Sequence, residues 1–286
     1  MNFLLNRSPG LLNMAACRSN VTGYGNGLRL FRRFPIDTGA AGGEVLGRGP
    51  TRGDSLRLRS DRIGKRLLDL AVAALLLACL LPLVLVVAVA LKVSSRGPVF
   101  FRSQRVGFLG EEMTMLKFRK MHEGASGVPL TASDDARFTR IGRLLAKSKI
   151  DEIPQLWNVL RGQMSLVGPR PEDAGFVKLR REDYAEILTV KPGITGLCQL
   201  AFAKEGEILD PARSVEDYVS RLLPQKIALD RLYVQRRSMA MDLRILAWTA
   251  FPVLLRRDVT VHRSTGKLTL RRRPKTQAVP SPSEGS

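Results

Sequence analysis

The sequence predicts a mainly α-helical protein with a small β-hairpin, of the α+β class, that is attached to a membrane. An apolar run from Leu70 to Leu91 contains no charge and is long enough to cross the hydrocarbon core of a bilayer as a helix. Apolar residues recur with helical spacing over 136–147 and 214–237. Between the run and these helices, residues 100–121 have the pattern of two extended segments around a glycine-containing turn.

The first 60 residues differ in composition from the rest of the chain. They have many glycines and arginines, few acids and no lysine, and their short apolar pieces show no sustained period. Such a composition cannot bury enough apolar surface to fold. Residues 1–60 are therefore predicted to be a disordered or loosely packed basic segment.

The apolar run has Pro82 near its middle and positive charge at both ends. Positive residues mark the cytoplasmic side of a membrane segment. A spanning helix would place one of the two charged flanks outside, whereas a helix that breaks at Pro82 and returns keeps both inside. The charged flanks favour a re-entrant helix-break-helix element that covers residues 61–97. A spanning helix is the alternative, because proline is tolerated in spanning helices. The flanking charges are Arg57, Arg59, Arg62, Lys65 and Arg66 before the run, and Lys92, Arg96, Arg102 and Arg105 after it.

A hairpin is predicted from Phe100 to Met121, with its turn at Gly107 to Gly110. The second strand would carry Lys117 and Arg119 on one face, because alternate residues of a strand share a face. Two cations side by side suit an anionic ligand. A solvated edge strand explains them equally well.

An acidic pair, Asp151 and Glu152, lies where a helix is predicted to begin. Pro154 has no N–H to donate, so the helix over QLWNVL is easiest to build with Pro154 in its first turn. The positive end of a helix keeps carboxylates ionised and attracts phosphates. Because the two side chains point in different directions, one could attack a substrate while the other holds a metal. Helix capping is the simpler interpretation, and the spacing alone does not decide between them.

Two proline-containing turns follow the acidic pair. Gly168-Pro169-Arg170-Pro171 can be neither helix nor central strand, and its prolines fix the backbone around Arg170. A fixed guanidinium suits bidentate binding of phosphate, although a plain turn is the alternative. In the segment Lys191 to Gly196, Pro-Gly stands in the order that a type II turn requires, which would hold the Lys191 cation near a bend.

The C-terminal part is predicted to contain one amphipathic helix, one short apolar segment and a tail. The helix covers 214–237, and the segment Ile245 to Leu255 is too short to span a bilayer. With Trp248 and Phe251 on it, this segment is either interfacial or a buried core helix. Residues 258–286 form a basic, Pro- and Ser-rich tail that would rest on anionic lipid headgroups. The remaining part, 98–257, would carry the acidic pair, the two turns and any catalytic or binding site that they form.

The net charge of +20 indicates an anionic partner: nucleic acid, an acidic membrane face or a phosphorylated substrate. Aromatic residues make up only 6% of the chain, few for a protein that stacks on bases, and no zinc-finger or RNP-like pattern is present. Nucleic acid is therefore not predicted as a partner. The three cysteines and two histidines are far apart in sequence, which argues against a zinc site and a disulfide framework.

Together the motifs resemble those of the bacterial sugar transferases, monotopic polyprenyl-phosphate phosphoglycosyl transferases, in their short form. The resemblance covers residues 65–255. Any one motif would be weak, but five in the same order are specific. They are Lys65-Arg66 with Asp69, KFRKM at Lys117 to Met121, KIDEIPQLWNVL at Lys149 to Leu160, MSLVGPRP at Met164 to Pro171, and KPGITGLCQL at Lys191 to Leu200.

The resemblance implies an enzyme on the cytoplasmic face of the bacterial inner membrane, held in the cytoplasmic leaflet by the re-entrant element. It implies transfer of a sugar 1-phosphate from a nucleotide sugar, usually a UDP-sugar, to polyprenyl (undecaprenyl) phosphate. This is the first membrane step of exopolysaccharide, capsule, O-antigen or glycoprotein glycan synthesis.

The resemblance also implies roles for single residues. Asp151 would be the nucleophile that forms a phosphosugar intermediate, and Glu152 would hold Mg²⁺. Lys65, Arg66 and Asp69 would form the membrane-entry motif. The cations expected at the substrate phosphates are Lys117, Arg119, Arg170 and Lys191.

Three positions depart from the family's pattern. Ala146 stands where an arginine is common, Gln163 where an aspartate is usual, and Lys191 where an arginine opens the PGITG segment. These departures keep a second hypothesis open, a non-catalytic basic scaffold on the membrane surface. The sequence leaves the sugar, the pathway and the oligomeric state open, a homodimer included.

Overall fold

The computed structural model describes residues 52–125, 127, 130–131, 135–203, 205, 214–255, 258–262 and 265–271. In this part the chain is mainly helical with small two-stranded sheets, which confirms the predicted class. The helices are α1 (Arg52–Ser94), α2 (Arg140–Ser148), α3 (Gln155–Leu160), α4 (Ala174–Leu179), α5 (Arg181–Ile187), α6 (Leu197–Ala201), α7 (Ser214–Asp217), α8 (Leu223–Arg236) and α9 (Met239–Leu255). The strands are β1 (Phe100–Val106), β2 (Glu112–Phe118), β3 (Ser165–Val167), β4 (Gly193–Thr195), β5 (Asp258–Val261) and β6 (Leu268–Arg271).

Helix α1 contains the whole apolar run and is long and apolar enough to cross a membrane. It begins at Arg52, within the segment predicted to be loosely packed, and the rest of that segment lies outside the described residues. Helical structure continues through Pro82, so the predicted break is not seen as an interruption of the helix. A proline removes one backbone hydrogen bond and kinks a helix more readily than it ends one when neighbours support the backbone.

One stripe of α1 packs against the rest of the chain along its whole apolar length. Asp69 and Ala73 are buried near its beginning, and Val87 and Leu91 near its end. Leu77, Leu80 and Val84 between them are partly buried against the protein, so that steps of three or four residues keep one helix face on it. The other faces are exposed and apolar, for example at Leu75, Leu81, Leu85, Val86 and Val89.

Strands β1 and β2 form the predicted antiparallel hairpin, paired from Phe100 with Phe118 to Val106 with Glu112. The inward face of β2 carries Met113 and Met115, which are buried in the main core, and then Lys117, which is buried too. Alternation along the strand therefore directs Lys117 inward. The alternative of a solvated edge does not apply to this lysine.

Strands β3 and β4 form a parallel pair, with Ser165 opposite Gly193 and Val167 opposite Thr195. The prediction of a type II turn at Pro192-Gly193 is wrong, because Gly193 has no positive φ and is the first residue of β4. Its amide donates to the Pro169 carbonyl at 2.8 Å. Glycine is needed here because a Cβ atom would collide with the backbone nitrogen of Gly168.

The helix predicted over 214–237 is present as α7, a π-helical segment Tyr218–Leu222, and α8. Tyr218, Leu222, Ile227 and Tyr233, which belong to its apolar face, are all buried. The main core combines residues of β2, α3, β3, α6, α8 and α9, together with Ala73 of α1.

The apolar segment predicted from Ile245 lies in α9 and is partly a core helix. Ile245 is buried in the main core, whereas Leu243, on the same helix, is exposed. After α9 the structure has a hairpin of β5 and β6, inside the segment predicted as a tail. It forms because Leu268 is buried in the main core and Val261 packs against that core.

Candidate active site

The acidic pair lies in a single 3-10 turn, Ile150–Glu152, between α2 and α3. Lys149 ends α2 in a left-handed conformation (φ 60°), which turns the chain toward α3. Pro154 stands directly before α3, where its missing N–H costs nothing. The predicted position of the pair at a helix start is therefore confirmed.

Glu152 is the centre of a compact ion cluster. Its Oε1 atom accepts hydrogen bonds from Lys117 Nζ at 3.0 Å and from Arg170 Nη2 at 3.1 Å. Burial alone would raise the pKa of Glu152, but the charges of Lys117 and Arg170 outweigh it and hold this pKa well below its usual range. Burial lowers the pKa of Lys117 to about 8, against the opposing effect of Glu152. Glu152 is thus a fixed anion.

Asp151 has a different environment although it is the next residue. It is only 2% exposed, and its Oδ2 atom lies 3.7 Å from Lys120 Nζ, longer than a direct hydrogen bond. Burial raises the pKa of Asp151, while Lys120 and Lys117 oppose that shift. A carboxylate that is shielded from water and only loosely paired is a better nucleophile than one locked by two hydrogen bonds.

Lys120 was not among the predicted site residues although it belongs to the KFRKM motif. Its chemical type gave no reason to prefer it over the neighbouring cations. Its proximity to Asp151 comes from the chain path after β2, where the Lys120 carbonyl accepts from the Thr139 amide at 3.0 Å. Gly142 of α2 packs so closely on this carbonyl that a Cβ atom there would collide with it.

Asn158 of α3 is a further residue that the sequence analysis missed. It is 1% exposed, accepts from the Leu116 amide at 3.0 Å, and donates to the Thr114 carbonyl and to Gln163 Oε1, both at 2.8 Å. It thereby fixes β2, which carries Lys117, on the helix that follows Glu152. The signal in the sequence was a polar residue among the apolar positions of QLWNVL.

The three residues of the predicted membrane-entry motif attach α1 to the rest of the chain. Lys65 Nζ donates to Asp242 Oδ2 at 2.6 Å and to the Val167 carbonyl at 3.1 Å. Arg66 donates to the carbonyls at the end of α3, and Asp69 Oδ1 accepts from the Leu166 amide at 3.0 Å. The motif therefore sets where the apolar helix starts relative to the acidic pair.

Two predicted phosphate ligands have other neighbours. Arg119 donates to the Ser95 carbonyl at 3.1 Å, to Ser95 Oγ at 2.9 Å and to the Arg96 carbonyl. It therefore binds the residues that directly follow the C-terminal end of α1. Lys191 lies beside Gly162 and Arg66, and burial and the Arg66 charge lower its pKa. Among the described residues, the structure brings Lys117, Lys120 and Arg170 to the acidic pair and shows no contact of Arg119 or Lys191 with it.

Two of the three departures have a structural account. Gln163 supplies the side-chain oxygen that accepts from Asn158. Near Ala146, the positive charge of Lys149 helps to hold the pKa of Glu152 low and opposes the rise that burial causes in the pKa of Asp151.

The acidic pair is chemically suited to a hard cation such as Mg²⁺. Within the described residues no group of three or more His, Cys, Asp and Glu side chains could hold a metal ion. Mg²⁺ nevertheless commonly binds through one or two carboxylates and completes its shell with water and substrate phosphate oxygens. Ionised Glu152 beside Asp151 fits that donor set.

Comparison with known proteins gives consistent matches. Residues 60–256 match a family model described as bacterial sugar transferase. The chain is 42% identical over 199 residues to UDP-glucose:undecaprenyl-phosphate glucose-1-phosphate transferase of Caulobacter vibrioides, covering 68% of this chain and 70% of that protein. It is 40% identical to the enzyme of the same name from Xanthomonas campestris pv. campestris, covering 67% of this chain but 39% of that protein.

A shorter relative matches over nearly its full length. The uncharacterized sugar transferase EpsL of Bacillus subtilis is 36% identical over 208 residues, which cover 71% of this chain and 96% of that protein. The chain thus spans well under half of some relatives and almost all of others.

Proposed function

The chain belongs to the bacterial sugar transferase family, and we propose that it transfers a sugar 1-phosphate from a nucleotide sugar, most simply a UDP-sugar, to undecaprenyl phosphate. The observation that carries the proposal is the pair of buried Asp151 and half-buried Glu152, surrounded by Lys117, Lys120 and Arg170. The names of the Caulobacter and Xanthomonas relatives support both substrates. The product would begin a membrane-linked polysaccharide.

The transfer proceeds in two displacements at one phosphorus atom. A carboxylate oxygen of Asp151 attacks the phosphorus nearest the sugar, and the bond to the bridging oxygen breaks, so that UMP leaves with the electron pair. An oxygen of undecaprenyl phosphate then attacks the same phosphorus and releases Asp151. Dividing the reaction lets the soluble donor leave before the lipid acceptor enters the same site.

The cations around the pair neutralise charge on the diphosphate. Arg170 offers a planar fork suited to phosphate oxygens, and Lys117 and Lys120 add point charges. Glu152 together with substrate oxygens would hold Mg²⁺, which supplies charge neutralisation at the leaving phosphate when it is bound. Glu152 also keeps Lys117 and Arg170 beside the nucleophile before substrate arrives, which lowers the reorganisation that the reaction requires.

We further propose that α1 is re-entrant and keeps both ends on the cytoplasmic side. Asp69 near its start bonds to β3, and Leu91 near its end packs with Phe118 and Leu145. In a straight helix these two positions would be roughly 33 Å apart, about the thickness of the hydrocarbon core. A spanning orientation would therefore draw the charged catalytic part across the bilayer, whereas re-entry places the acidic pair at headgroup depth.

Cysteine labelling tests the topology. In a variant without Cys17, Cys79 and Cys198, Ile63→Cys and Lys92→Cys place a thiol at each end of the apolar run, at side chains that are exposed. We expect a membrane-impermeant maleimide to label neither in intact cells and both in inverted vesicles. Labelling of either one from outside contradicts re-entry.

The activity is tested by incubating membranes that contain the protein with individual UDP-sugars and Mg²⁺ and measuring UMP. Wild-type protein should release UMP with at least one donor. Asp151→Asn should abolish turnover, because an amide is a poor nucleophile. Absence of release with every donor would favour a non-catalytic membrane scaffold, and near-normal rates of Asp151→Asn would refute the role of Asp151.

A further inference from the structure

A second ion cluster lies next to the segment that carries Arg170, and none of its side chains was assigned a role in the reaction described above. Its centre is Lys226 of α8, which is 5% exposed. The Nζ atom of Lys226 donates to both carboxylate oxygens of Glu205, at 3.2 and 3.1 Å, and to the Tyr218 hydroxyl at 2.9 Å. It also lies 3.9 Å from Glu172 Oε2. Burying such a group is costly compared with an apolar side chain of similar size, so stability alone does not account for it.

The cluster is attached to the segment that carries Arg170. Glu172 follows Arg170 and Pro171, and its Oε2 atom accepts a short hydrogen bond from the Tyr218 hydroxyl. Its backbone carbonyl accepts from the Val106 amide at 3.1 Å. Tyr218 begins the π-helical segment, a local irregularity that is frequent at functional sites. These bonds fix the backbone on the C-terminal side of Arg170.

Two carboxylates act electrostatically on the Arg170 guanidinium. Glu152 in the acidic pair binds its guanidinium at 3.1 Å, and Glu205 is the next carboxylate in its effect on the pKa of Arg170, which both raise. Of these two carboxylates, Glu205 is the one that accepts hydrogen bonds from Lys226. Without the ammonium group, Glu205 would lose the partner of both its carboxylate oxygens and Glu172 would lose a nearby positive charge, so that uncompensated negative charge would lie beside the segment that carries Arg170.

We propose that Lys226 is a positioning residue, which neutralises Glu205 and holds Glu172 so that Arg170 faces Glu152 and the phosphates of the donor. This inference rests on the proposed function, because it assigns Arg170 to the donor phosphates. It extends the active site to α8 and to Glu205, which none of the five sequence motifs contains.

The test is a double-variant cycle on the full-length protein in membranes. Lys226→Met should lower kcat/KM for the UDP-sugar by about 10²-fold, the effect of displacing a substrate-positioning group by about 1 Å. Adding Glu205→Gln to this variant removes the uncompensated charge and should restore most of the loss. Lys267→Met, at an exposed lysine on the β5–β6 hairpin, is the matched control and should behave as wild type.

The melting temperature of each variant separates positioning from folding. Recovery of kcat/KM in the double variant supports the proposal, whereas a folded double variant that is no more active than Lys226→Met overturns it. If Lys226→Met does not fold, Tyr218→Phe serves instead. It removes one hydroxyl and no charge, and should lower kcat/KM about 2- to 10-fold; an unchanged value overturns the proposal.

The two proposals fail differently. A wild-type protein that releases no UMP with any donor refutes the proposed function and with it this inference. A wild-type protein that turns over normally, beside a folded Lys226→Met variant with the same kcat and KM, refutes the positioning role alone.

Discussion

Asn158→Ala should loosen the contact that holds Lys117 opposite Glu152. The alanine leaves the half-buried Leu116 N–H without its acceptor, at a cost of about 1–3 kcal/mol, and removes two further hydrogen bonds worth about 0.5–1.5 kcal/mol each. A loss of about 4 kcal/mol is large against a total stability of about 5–15 kcal/mol. For a chain of this size it corresponds to a decrease of roughly 8–16 °C in the melting temperature.

The assay is thermal unfolding of the purified protein in detergent, followed by tryptophan fluorescence, together with UMP release below the transition. Gln163→Ala is the control, because it removes only one of the three bonds of Asn158 and should cost no more than about 1.5 kcal/mol. The reasoning is wrong if Asn158→Ala melts within about 2 °C of wild type. It is also wrong if Gln163→Ala is equally destabilised.

Three further predictions follow from single contacts. Asp69→Ala leaves the Leu166 amide unpaired and should lower stability by about 1–3 kcal/mol, whereas Asp69→Asn keeps an acceptor; equal melting temperatures of the two variants would contradict this. Lys120→Met removes the cation beside Asp151 and should lower the rate of UMP release about 10²-fold; a wild-type rate counts against it. Burial raises the pKa of Asp230 well above its usual range. The folded state therefore keeps a proton that the unfolded state loses above about pH 4. Stability should fall with rising pH by up to about 1.4 kcal/mol per pH unit until the folded-state pKa of Asp230 is reached. Asp230→Asn should flatten this dependence in pH-resolved melting curves; an unchanged slope would exclude Asp230 as its source.

Features set by local patterns could be predicted from the sequence. Alternation predicted the hairpin of β1 and β2, and helical periodicity predicted the buried positions of α8. The missing N–H of Pro154 placed the acidic pair before α3. In each case neighbouring residues alone determine the conformation.

Features set by distant contacts could not be predicted in this way. Arg119 and Lys117 occupy the same motif, but only the path of the chain turns Lys117 toward Glu152 and Arg119 toward the end of α1. Gly193 has the sequence of a turn, yet pairing with β3 makes it a strand residue. The cluster around Lys226 combines residues from α8, the π-helical segment and the segment after Arg170, which no spacing in the sequence relates.

Mass spectrometry of the Asp151 peptide is the most direct test of the two-step transfer. Wild-type protein is incubated with its UDP-sugar and Mg²⁺ but without undecaprenyl phosphate, quenched and digested. The proposed mechanism predicts a peptide heavier by one sugar phosphate, with the group on Asp151, which disappears when the lipid acceptor is added. An unmodified Asp151 peptide, under conditions in which the same preparation turns over with acceptor, would contradict it.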